Sequence, residues 1–438
     1  MKILIYTTNV VGKSMAGPAI RCWEFAKALS ASHEVALIGP IEPDIQGDGF
    51  QVLSKSDAAL QGLMRSSQVL ITQNLTLSMA LKAKNNGLRI IIDAYDPLPL
   101  EIFELFKHDP EAIRQERLQS SINQLIFNFK MADGILCASE KQRDLWIGFL
   151  LGLKLLTFEK YDYDNSLRQI IDVVPFGLSK NKPEKSGPGL REKYGFSAKD
   201  KILLWGGGIW NWFDPLSIIR AVARLSQERP EIKLVFLGIK SPDPTVPEMA
   251  MCTKAIQLAK ELGVINNVVY FNEGWIPYGE RHNYLLDADI GVSTHFDHLE
   301  TRYSFRTRML DYIWAELPIL ATAGDSFADL IEQHNLGIVV PYQDERGIEH
   351  AILNIIDCPD KVKQIKTNLV KISEQFYWDS VVKPIEKMIS QFSHQNSSIS
   401  FCTLKSLAAF FVMQVKEKGL IQSAKLFFSK LRNRFLSR

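Results

Sequence analysis

Residues 300–322 read ETRYSFRTRMLDYIWAELPILAT. Two arginines, Arg306 and Arg308, precede the apolar positions Met309, Leu310, Tyr312, Ile313 and Trp314, a spacing that predicts a short buried helix. Pro318 ends it, and Ile319–Thr322 reads as a strand. Ser304 is placed to cap the helix, because its hydroxyl can accept an N–H two or three residues on. A helix start offers free N–H groups and partial positive charge, and two guanidiniums beside it suit a diphosphate. Asp311, further along, falls where it can meet a sugar hydroxyl. The plainer reading is a solvated basic face. The position of the stretch, late in a second run of alternating strands and helices, favours a ligand site, because ligands gather at strand ends in such sheets.

Working outward, apolar β-type runs alternate with helical patterns twice over. The first set of strands falls at Lys2–Thr7, Glu34–Ile38, Val69–Thr72, Arg89–Asp93, Gly134–Ala138 and Ile171–Val174. The second falls at Lys201–Trp205, Lys233–Leu237, Val268–Phe271, Ile290–Ser293, Ile319–Ala321 and Ile338–Val340. Helices are expected between them, among them Ala19–Ser30 and Ala112–Met131, and Ser139 with Gln142 has the form of a capping box. This alternation demands parallel sheets covered by helices. The polar stretch 179–200, SKNKPEKSGPGLREKYGFSAKD, separates the two sets. The expected architecture is α/β, with two Rossmann-like domains facing a cleft. They span residues 1–178 and 201–376, joined by the linker 179–200 and followed by a returning helix at 377–396.

The 438 residues, 46% hydrophobic and 23% charged, exceed what one simple core organises. The net charge of +2 conceals a segregated tail. Residues 401–438 carry eight Lys and Arg against Glu417 alone, a local +7, leaving −5 on the first 400. In that tail Leu420, Ala424, Phe427, Phe428, Leu431 and Phe435 recur at helical spacing. Residues 397–438 are therefore expected to form a basic amphipathic helical tail that meets an anionic membrane surface, or that packs on the body. A nucleic-acid partner is disfavoured, because the body is net acidic. The five cysteines form no CxxC pair, and the N-terminus reads as a strand with no signal peptide. No run of eighteen apolar residues occurs. Asp162 and Asp164, Asp287 and Asp289, and the loop His295–Asp297–His298 are weak as metal sites, and no metal or cofactor is expected.

Several segments in order resemble the GT-B-fold retaining glycosyltransferases of family four, the glycosyl transferase group 1 family. They are MAGPAIRCWEFAKALSASHEVALIG at 15–39, DVVPFGL at 172–178, LREKYGFSAKDKILLWGGG at 190–208 and SFRTRMLDYIWAELPILAT at 304–322. The likeness covers about residues 1–392. It implies a nucleoside-diphosphate sugar as donor, bound by the second domain, and a saccharide or lipid-linked saccharide acceptor facing the first. The basic tail, by its charge and amphipathicity, adds the expectation of a lipid-linked saccharide acceptor at the cytoplasmic face of the inner membrane, as in assembly of a bacterial cell-surface polysaccharide.

The family carries two glutamates with seven residues between them, one on the donor sugar and one on the ribose. Here Asp311 holds the second position and Tyr303 the first, with Glu300 the nearest carboxylate. The family's phosphate-binding cations after the first strand of the second domain are missing from GGGIWNWFDP at 206–215. Arg306 and Arg308 are expected to take their place, and Gly207 and Gly208 to admit the donor closely. Trp210, Asn211 and Trp275 are expected to shape the donor pocket. Gly17, Arg21 and Tyr95 should lie on the acceptor side, with Asp96 and Glu101 able to bind hydroxyls or act as bases. Two other readings use the same residues: a non-catalytic sugar-nucleotide-binding subunit of a membrane assembly, and a GT-B-fold sugar-nucleotide epimerase.

Overall fold

The computed structural model describes residues 1–239 and 248–392. The basic tail, Cys402 included, lies outside the described residues. Seven strands form the first sheet: β1 Lys2–Tyr6, β2 Glu34–Gly39, β3 Gln51–Ser54, β4 Val69–Thr72, β5 Arg89–Asp93, β6 Gly134–Cys137 and β7 Ile171–Val173. Their order is β3-β2-β1-β4-β5-β6-β7, every neighbour parallel. The six strands of the second sheet are β8 Lys201–Trp205, β9 Ile232–Phe236, β10 Val269–Phe271, β11 Ile290–Ser293, β12 Ile319–Thr322 and β13 Gly337–Val340. They run β10-β9-β8-β11-β12-β13, again all parallel. The chain reverses direction across each sheet beside its first strand, at β1/β4 and β8/β11, and such switch points open a crevice at the strands' carboxyl ends.

The expected strands are present within a residue or two. The sequence reading missed β3, whose QVLS is an edge strand with no fully buried residue and gives little apolar signal. Both sheets are walled by helices, so β4, β6, β11 and β12 are buried along their full length and read as unbroken apolar runs. The helix Leu190–Tyr194 belongs structurally with the second sheet, since Asp287 accepts the Arg191 N–H at 3.0 Å. Asp289, likewise, accepts the N–H of Ile202. These two aspartates thus act on backbone rather than on metal.

The returning segment is two helices, Trp378–Val381 and Lys383–Phe392, with Val382 between them, rather than the single helix expected. It re-crosses to the first domain. Trp378 lies against Phe25 and Phe176, and His33 Nε2 meets Glu386 at 2.7 Å. Gly177 makes the crossing possible, since a Cβ there would fall 2.5 Å from the Trp378 ring. Among the described residues no helix is long and apolar enough to cross a membrane.

Candidate functional site in the interdomain cleft

The stretch 300–322 folds differently from its reading. Two short helices, Leu299–Tyr303 and Arg308–Trp314, replace the single one, and Arg306 sits in the turn between them. Ser304 caps nothing forward. It ends the first helix, and its hydroxyl donates back to the Glu300 carbonyl at 2.7 Å. Thr307 stands at the N-terminus of the second helix without a side-chain cap.

Arg306 is not a free phosphate grip. Its Nη1 and Nη2 each donate to one Glu300 oxygen at 2.7 Å, and both side chains are buried. Its Nε has no partner and stands 3.9 Å from Asp325 Oδ2, which has none either. Glu300 is thereby committed to Arg306.

Arg308 differs. Its Nη2 donates to the Gly208 carbonyl at 2.9 Å, Nη1 is buried without a hydrogen-bond partner, and among the described residues no carboxylate pairs with it. The guanidinium lies 4.6 Å from the Trp205 ring centre and 4.2 Å from that of Phe213. Burial pushes it down to about 10, with Arg306 adding to the effect.

Gly207 adopts φ +76°, which favours glycine, and leaves open space where a side chain would stand. A Cβ on Gly208 would meet Trp210 at 3.4 Å and Trp275 at 3.7 Å. Trp210 is stacked on Trp212. Trp275 covers Gly238 and donates its indole N–H to Met15 O of the first domain at 3.1 Å. Asn211 is used at both ends, accepting from Met251 N and donating across the cleft to Leu105 O. It therefore holds the two halves together, a correction to its expected place in a sugar pocket. Asp311 pairs with Arg281 at 2.9 Å and is more than a third exposed.

On the first domain Arg21 also departs from expectation. It is fully buried: Nε and Nη2 bind Asp93 at 2.8 Å, and Nη1 and Nη2 donate to the Pro175 and Val174 carbonyls. Every nitrogen is spent on tying the helix Gly17–Leu29 to the ends of β5 and β7, which leaves none for a phosphate. Gly17 lies near the Tyr95 hydroxyl, and the buried Tyr95 ring is under Arg21. Asp96, half-buried, is pushed up to about 7 chiefly by burial, against the Tyr95 hydroxyl that hydrogen-bonds it. Glu101 rises well above its ordinary range for the same reason, with Asp96 and Glu300 adding to the effect and Arg306 opposing. First-domain carboxyls thus face the second-domain Arg306–Glu300 pair.

Two features went unread in the sequence. Gln142 is wholly buried and spans the cleft. Its amide N–H groups reach the carbonyls of Tyr95 at 2.6 Å and of Tyr303 at 2.9 Å. The capping box is therefore half formed: Ser139 accepts from Gln142 N, but Gln142 Oε1 accepts from Ala138 N. Asp325, in TAGDSFADL after β12, caps the helix Ser326–His334 by accepting from Phe327 N and Ala328 N. A carboxylate just past a strand end was the available signal.

Among the described residues no cluster of three metal-ligating side chains occurs. Asp164 accepts from Ser166 and Gln169, the work of a turn.

Two parallel-sheet α/β domains facing each other across a cleft make the GT-B class of fold. Residues 188–371 match the family described as glycosyl transferases group 1. The chain carries a glycosyl transferases group 1 domain on a GT-B fold, as its resemblance implied. EpsD of Bacillus subtilis (strain 168) is 24% identical over 204 residues, 47% of this chain and 48% of that protein. A D-inositol 3-phosphate glycosyltransferase of Thermobispora bispora is 23% identical over 201 residues, 46% and 45% of the two lengths. The chain thus spans about half the length of these curated relatives. The solved structure of Anabaena HepE in complex with UDP and glucose superposes with a TM-score of 0.61 at 15% identity, covering 89% of this chain and 100% of that one.

Proposed function

We propose that this protein is a glycosyltransferase that moves a sugar from a nucleoside-diphosphate sugar to an acceptor hydroxyl, with retention and without a metal. The observation that carries this reading is Arg308: a buried guanidinium with an unpartnered Nη1 and no carboxylate among the described residues, beside the Gly206–Gly208 turn. A buried cation without a counter-ion is costly, and a diphosphate arriving at that turn would supply the missing charge. The group 1 domain supports the same assignment, and HepE was solved with UDP and glucose.

In the reaction the bond from the anomeric carbon to the diphosphate breaks and one to the acceptor oxygen forms on the same face. The acceptor's proton passes to the departing phosphate. Arg308 stabilises charge growing on that phosphate, so a metal is unnecessary. Asp96 and Glu101 hold the acceptor. Closure through Gln142, Asn211 and Trp275 keeps water out.

The tail at 397–438, with its local +7 over residues 401–438, supports a reading in which the enzyme works at an anionic membrane face on a lipid-linked saccharide of surface polysaccharide assembly. Calorimetric titration with UDP, GDP, ADP and dTDP tests the donor site. Selective binding of one, weakened in Arg308→Met, is expected, and binding of none sinks the reading. Deleting residues 397–438 should release the protein from vesicles containing anionic lipid; undiminished binding would refute the membrane role.

A further inference from the structure

Arg306 Nε and Asp325 Oδ2 are both buried, both without a partner, and 3.9 Å apart. An N–H donor and a carboxylate acceptor at that separation leave room for one oxygen within hydrogen-bond reach of each. That oxygen must accept from Arg306 and donate to Asp325, as a hydroxyl does. Ser326 Oγ, next along the chain, and His295 Nδ1 are also buried and unpartnered. His295 Nε2 faces the Ala323 carbonyl at 3.1 Å, which can only accept, so its proton lies on Nε2 and Nδ1 is a bare acceptor. Burial, with Arg306 adding to it, holds this imidazole well below its usual range and hence neutral.

These atoms follow β11 and β12, at the sheet's carboxyl edge. The first domain covers them: Lys141 reaches the Asp325 carbonyl and the Asp329 carboxylate, and Gln142 reaches Tyr303 O. Glu300 already pairs with Arg306, so the idle Asp325 oxygen is the acceptor left over for a hydroxyl.

We propose that Asp325, with Arg306, His295 and Ser326, binds ring hydroxyls of the donor sugar, in place of the glutamate that Tyr303 displaces. This rests on the donor-site reading of the preceding section. Asn at 325 keeps the cap but sets an N–H against Arg306 Nε, and Ser keeps the cap and removes the second oxygen.

The test is calorimetry on the full chain with UDP, GDP, ADP and dTDP, then with UDP-glucose, UDP-galactose, UDP-N-acetylglucosamine, GDP-mannose, ADP-glucose and dTDP-glucose. One conjugate should bind wild type about ten- to a hundredfold more tightly than its parent diphosphate, the worth of a charge-assisted hydrogen bond. Asp325→Asn should abolish that increment while leaving diphosphate affinity within about twofold. Asp325→Ser should do the same and replaces it if the first variant does not fold. An increment retained in the variants, an equal loss for diphosphate and conjugate, or no increment in wild type would overturn the inference and leave the donor site standing. No diphosphate binding at all would remove both.

Discussion

Each half of the molecule buries one arginine against one carboxylate through two hydrogen bonds, and the pairs differ in what they leave over. Arg21 and Asp93 sit in the first domain with every guanidinium nitrogen bonded, two of them also to carbonyls. Arg306 and Glu300 sit in the second with Nε idle beside an idle Asp325 oxygen. A saturated buried pair is structure, because nothing remains for a ligand to satisfy. An unsaturated pair is the place to look for a ligand, because folding alone leaves a desolvated donor without a partner.

The comparison breaks most readily at Arg21. Arg21→Met should destabilise the fold by about 3–5 kcal/mol, since Asp93 is left charged and buried alone. Urea unfolding checks this, and a loss under about 1 kcal/mol would mean that the pair is not structural. Asp325 offers a pH test. Burial raises it from 3.8 to about 6, so the folded state holds its proton more tightly than the unfolded chain. Its contribution is full below about pH 4 and fades as pH rises to 6, by up to about 3 kcal/mol. Wild type should therefore lose stability relative to Asp325→Asn between pH 4 and 7. A pH-independent difference would show Asp325 to be ordinarily solvated.

Arg308→Met should leave stability within about 1 kcal/mol, because an unpaired buried charge is exchanged for an apolar chain of like length. Donor diphosphate affinity should fall about ten- to a hundredfold. Stability lost with affinity retained would make Arg308 another Arg21. Gly207→Ala, at φ +76°, should cost about 1 kcal/mol in a thermal melt. No measurable cost would show that the turn by the donor site tolerates a second conformation.

How legible the site was depended on chain distance. Arg306, Arg308 and Glu300 stand within nine residues, and their proximity to a strand end was readable. The bond that commits Arg306 to Glu300 was not, since it needs two short helices where the apolar spacing promised one. Arg21 was misread because its partner is 72 residues away, and no local pattern reports a contact at that separation. Gln142 read as a cap because Ser139 lies three residues before it, while its bridge to Tyr303 spans 161 positions.

The sequence by itself determined two parallel α/β domains, because buried parallel strands must be written as apolar runs alternating with helical periods. It also determined the glycine turn after β8 and the neighbourhood of the proposed donor site. Only the tertiary structure decided which arginine is spent and which is free. Saturation depends on carbonyls and carboxylates that other elements carry in, and the count of partners exists only once those elements have packed.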